Sequence, residues 1–70
     1  MKRGVRVLVR SAFDGSWVGG FVLASEERDE TGKLIGRRVR RLSDGMVLPK
    51  LFPPEDVRQE REDDFPWWMR

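Results

Sequence analysis

The feature that most constrains this chain is a pair of adjacent glycines inside a run that otherwise reads as a β-strand, GSWVGGFVLAS at residues 15–25. Glycine adds backbone entropy cost to a strand and leaves nothing to pack. Two in succession, between Trp17 and Phe21, mark a place where the backbone must bend. A small barrel needs such a bend in the strand that passes from one sheet to the other, and glycines or bulges supply it. Close approach of a ligand to the glycine backbone is the competing and less favoured explanation. Strict alternation puts Trp17, Phe21 and Leu23 on one side and Val18, Val22 and Ala24 on the other, so Trp17 and Phe21 are expected to supply the bulk that the glycines lack.

The rest of the chain is consistent with many short strands. Val5, Val7 and Val9 alternate with Arg6, Leu8 and Arg10, which predicts a first strand with one buried face. Asp14 and Gly15 form a turn pair before the second strand. EERDETGK is polar and predicts a solvated hairpin loop, LIGRRVRRL a third strand, and Ser43, Asp44 and Gly45 a tight turn. MVLPKLF predicts a fourth strand, with Pro49 placing it at an edge or in a bend. From Pro54 two readings are open. PEDVRQERED can begin a helix with acids in its first turn, or a single helical turn at Glu55 and Asp56 can precede a short closing strand at Val57 and Arg58. The helix would find little but Val57 to bury, so the second is preferred. The expectation is an all-β, small five-stranded antiparallel barrel over residues 1–59, with an acidic then aromatic tail over residues 60–70. Its core is expected to be Val5, Val7, Val9, Trp17, Phe21, Val22, Val39, Leu48 and Val57.

Composition narrows the chemistry. Seventy residues permit one domain, and a domain this small buries roughly 60% of its unfolded surface, so its core is thin. There is no cysteine and no histidine, which removes disulfides, thiolate-bound metal and the commonest general base. Carboxylate pairs such as Asp63 with Asp64, or Glu55 with Asp56, lie on solvated segments where pKa values rarely shift usefully. No enzymatic activity and no cofactor are expected. MKRGVRVLVR alternates charge with aliphatics, unlike a signal peptide, and no stretch approaches the roughly 20 apolar residues of a membrane helix. A cytoplasmic protein without membrane association is expected. Eleven of the 14 basic residues are arginine, so the pI is 9.7 although the net charge is only +2.

VRVLVRSAFDGSWVGGFVLAS resembles the opening of Tudor and Agenet domains, members of the SH3-like barrel group. VRRLSDGMVLPKLFPPEDVR resembles their third strand, tight turn, fourth strand, single helical turn and closing Val-Arg. The resemblance covers residues 4–58 and implies an SH3-like, Tudor-like barrel. Members that read methylated lysine or arginine surround the cation with about four aromatics, using cation–π attraction. The positions corresponding to that cage hold Phe13, Trp17, Val18, Arg40, Arg41 and Leu42 here, and the chain has no tyrosine. Arginines in a cage wall repel a methylated cation, so the departure argues against methylated-peptide binding.

Two groups of residues are candidates for binding. Arg37, Arg38, Arg40 and Arg41 surround Val39 on the third strand, and alternation displays one pair outward, with Arg6 and Arg10 alongside. Such a stripe suits phosphates and makes nucleic acid the alternative partner. The competing and favoured role is structural: arginine stems cover a thin core and their heads pair with acids such as Glu26, Glu27, Asp29 and Glu30. The second group is the tail, where Phe65, Trp67 and Trp68 supply three of seven aromatics after the acids Glu60, Glu62, Asp63 and Asp64. Either the tail closes one end of the barrel or it docks on a partner, including a second copy of the chain, with tryptophan as anchor and Pro66 lowering the ordering cost. The spacer of acids favours docking. The sequence therefore predicts a small binding module acting through protein contacts, with Phe13, Phe65, Trp67 and Trp68 as its partner-binding residues.

Overall fold

A computed structural model of the chain describes residues 1–61. The alternating valines form β1 (Arg6–Arg10), the glycine-containing run forms β2 (Trp17–Arg28), and the arginine-rich run forms β3 (Leu34–Arg41). After a 3-10 turn at Pro54–Asp56, β4 (Val57–Gln59) closes the described chain. Of the two readings open from Pro54, the helical turn and short strand is the one found. The four strands are antiparallel, in the order β3-β2-β1-β4, and curl into a half-barrel.

The glycine pair is a bulge. Val7 stands opposite Phe21 and Val9 opposite Val18, so two steps along β1 face three along β2, and the extra residue falls at Gly19 and Gly20 opposite Leu8. Gly20 has φ of 90°, a conformation L side chains avoid. The bulge bends β2 and also resets its alternation. Val18 turns to the core face with Phe21, while Trp17 pairs with Arg10 on the reverse face, correcting the side expected for both. A second extra residue on β2, between Leu23 and Ser25, bends the strand again where it pairs with β3.

The core is Val7, Val9, Leu23, Val39, Phe52 and Val57, with Val5, Phe21 and Leu48 packed against it. Compared with the expected core, Trp17 and Val22 lie on the reverse face with Arg10 and Arg6, and Leu23 and Phe52 join. Leu8 is buried on the reverse face, where a Cβ on Gly19 would touch its Cδ2 at 3.5 Å.

Two loops differ from expectation. The segment EERDETGK is not all loop: β2 runs on to Arg28, and Asp29 ties the turn that follows. Its Oδ1 accepts the backbone N–H groups of Thr31 (2.9 Å) and Lys33 (3.0 Å) and the Thr31 hydroxyl (2.7 Å). Residues 46–52, expected as a strand, make two isolated bridges to β3, Val47 with Arg40 and Phe52 with Arg37. Five steps along this segment face three along β3, and Pro49, without an N–H, sits in the part that loops out. Phe52 and Arg37 exchange backbone hydrogen bonds of 2.8 and 2.9 Å. Gly36 permits this approach, since a Cβ there would lie 2.6 Å from Leu51 Cγ and 2.9 Å from the Phe52 carbonyl oxygen.

Candidate functional site

The bulge that turns Val18 toward the core face also leaves a hollow beside it. A recess of about 280 Å³ is lined by Val9, Arg10, Ser11, Ala12, Val18, Phe21, Lys50 and Phe52. It lies at the small end of ligand pockets, roughly 300–1,000 Å³, a size for one or two side chains. Its wall is apolar because the core face of β1 and β2 runs out here: Val18 is 45% exposed, whereas Val9 and Phe52 are buried.

Lys50 is the cation beside the recess, while the head of Arg10 is drawn to the reverse face. The Lys50 ammonium lies 4.9 Å from the centre of the Phe52 ring. The Arg10 guanidinium lies 5.1 Å from the Trp17 ring centre, with Nε 3.6 Å from the Asp56 carboxylate. Next to Ala12 in the chain, Phe13 is 97% exposed. The loop that presents it is tied down by its own hydrogen bonds. Ser11 donates its backbone N–H to the Ser16 carbonyl (2.7 Å), and Phe13 donates its own to Ser11 Oγ (3.1 Å). Asp14 Oδ1 accepts from both the hydroxyl and the backbone N–H of Ser16, which holds the Asp14 carboxyl below its ordinary pKa. A large apolar ring is thus held out in water by a loop that does not need it.

The candidate arginines of β3 divide. Arg37 is built into the fold: Nε donates to Glu26 at 2.9 Å, and Nη1 to the carbonyls of Pro54 (2.9 Å) and Val57 (3.3 Å). The hydrogen bond from Arg37 holds Glu26 below its ordinary pKa, against a desolvation that opposes it. Arg38 donates to Glu27 and to the Pro49 carbonyl, and Arg41 to Asp44 through both Nε and Nη2. Arg40 is exposed on the reverse face, the side that Arg6 and Val22 share. On that face Trp17 also lies under Arg58, 4.8 Å from the ring centre.

Phe13 is therefore near the recess, and Trp17 is turned away from it. Phe65, Trp67 and Trp68 lie outside the described residues. Sequence reasoning missed Val18, Lys50 and Phe52 as recess residues and the stacking of Arg10 and Arg58 on Trp17. Reading the glycine pair as an extra residue in the ladder would have found Val18 and Trp17. Among the described residues no cluster of three or more acids is placed to hold a metal ion, and no helix is long and apolar enough to cross a membrane. Comparisons with protein families, with characterised proteins and with solved structures found no match to this chain.

Proposed function

We propose that this chain is a small non-enzymatic binding module of the SH3-like, Tudor-like kind, with residues 46–52 in the place of a fifth strand, and that it acts by capturing a peptide segment of a protein. The observation that carries the reading is the apolar recess with the Lys50 ammonium over its Phe52 wall and Phe13 exposed next to its Ala12. An apolar side chain fills the hollow, a carboxylate beside it meets the Lys50 ammonium, and Phe13 covers the seated group. A cation next to the recess speaks against a methylated lysine or arginine as the ligand.

The test is titration of fluorescent peptides carrying an aromatic residue next to acids, with the acids replaced by lysines as control. Acidic peptides should bind and lysine peptides should not. Val18→Asp, at a half-exposed position, should weaken binding at least tenfold, and Phe13→Ala less. Equal binding of both peptide sets, or binding indifferent to Val18→Asp, would reject the reading.

A second reading has its own observation. The reverse face carries Trp17 between Arg10 and Arg58, with Arg6 and Arg40 alongside, an arrangement suited to phosphates and stacked bases. It ranks lower because Arg6 and Arg10 already face Glu60 and Asp56. Single-stranded oligonucleotide binding that falls steeply with salt, and falls again in Arg40→Glu, would favour it.

A further inference from the structure

We infer that the recess is occupied by the aromatic tail of a second copy of this chain, so that two copies exchange residues 65–68. This rests on the peptide-binding reading and names its ligand. Complementarity is the first ground. The recess offers apolar walls beside the Lys50 ammonium, and Lys50 has no acidic partner among the described residues. The tail presents Glu62, Asp63 and Asp64 and then Phe65, Pro66, Trp67 and Trp68, which is acid followed by aromatic bulk.

Direction is the second ground. Glu60 donates its backbone N–H to the Arg6 carbonyl at 2.9 Å, so the chain leaves the sheet beside Arg6. The recess lies toward the opposite end of β1, at Val9 to Ala12, which at about 3.3 Å per residue is roughly 10–20 Å back along the strand. To fill its own recess the tail would have to reverse over residues 61–64. That stretch is Arg-Glu-Asp-Asp, whose three adjacent acids repel one another and favour extension. A tail that continues away from its own sheet is free to reach a neighbour instead.

Size is the third. Two aromatics per tail, the most the recess takes, at roughly 150–250 Å² each, give an exchanged pair about 600–1,000 Å² before the receiving surface is counted. With a receiving surface of similar area the total reaches the range of specific interfaces, about 1,200–2,000 Å². Reciprocal exchange is also a closed two-fold arrangement, which leaves neither recess nor tail unsatisfied.

The experiment uses full-length chains and measures mass by light scattering over a concentration series. The wild type is expected to be a dimer. A tail variant (Phe65→Ala, Trp67→Ala and Trp68→Ala together) and a recess variant (Val18→Asp) are each expected to dimerise at least tenfold more weakly. Mixed, they should form a heterodimer, since one intact tail then meets one intact recess. Lys50→Glu, at an exposed position, is a second recess variant should Val18→Asp perturb the sheet, and circular dichroism checks the fold of each. A wild type that stays monomeric throughout the series, or a mixture that fails to complement, overturns the inference. Adding a synthetic peptide of residues 60–70 to the tail variant separates the two levels. If it binds while the wild type is monomeric, peptide capture stands and exchange between copies falls. If neither it nor any acidic aromatic peptide binds, both fall.

Discussion

The β2–β3 hairpin and the segment from residue 46 to β4 are joined to the same core by different means. The hairpin is a long backbone ladder with its turn tied by Asp29, and its register is written in the strands themselves. The later segment touches β3 at two isolated bridges, is interrupted by Pro49, and is held to the sheet by a three-residue strand and the Arg37 side chain. A ladder distributes its hold over many weak contacts, whereas the seam concentrates it in a few residues. The seam is therefore where single substitutions should matter most. It also supplies two recess residues, Lys50 and Phe52.

The sharpest way to break the comparison is Arg37→Met, which removes one guanidinium from Glu26 and two carbonyls and leaves the acid half-buried. We expect a loss of about 2–3 kcal/mol in urea unfolding. Arg37→Lys should recover only part, because one ammonium cannot reproduce the planar fork. A loss no larger than that of an exposed hairpin arginine would mean the seam does not depend on this side chain. Gly36→Ala should cost about 2 kcal/mol, because the new methyl meets Leu51 and the Phe52 backbone. Its mark is selective: amide exchange should quicken at Phe52 while the amides of Leu23 and Val39 stay protected. Gly20→Ala should cost about 1 kcal/mol through its positive φ alone, since nothing lies within 4 Å of the added Cβ.

The mildest probe is acid. The Glu26 carboxyl is held below its ordinary value by Arg37, so its folded pKa is lower than its unfolded one. Its contribution is complete above the unfolded value and is lost as pH falls through the carboxylate range toward the folded value. Arg37→Met should remove this contribution, so the gap between wild type and variant should narrow on acidification. A constant gap would show that Glu26 and Arg37 are not coupled.

The parts of this fold legible in the sequence are those set by local chemistry. The valines of β1, the Asp-Gly turns, and Pro54 followed by Val57 each act within a few residues. Four strands and the 3-10 turn could be read from them. Sidedness along β2 could not, because one extra residue at the glycine pair inverts every assignment on one side of it. The isolated bridges of residues 46–52 and the burial of Arg37 depend on partners 7 to 20 residues away, which periodicity does not see. Phe13 is singled out by its place in the first loop of the resemblance, and the structure adds that it is exposed. The recess was not, because strict alternation hid Val18, and the tail residues proposed to fill it lie outside the described residues.

The bulge at Gly19 and Gly20 has a consequence for how the recess is kept open. Glycine-rich strands specify their pairing weakly. A regular ladder through the same residues would set Gly19 opposite Val9 and Trp17 opposite Ser11, delivering an indole to the wall of the hollow. Trp17 is thus a stopper stored on the far side of the sheet, one residue of slippage away. Two guanidinium groups, Arg10 and Arg58, stack on it there, and removing one should favour the slip. A nuclear Overhauser contact between Trp17 and Phe52, absent from the wild type and present in Arg58→Ala, would catch the stopper moving in.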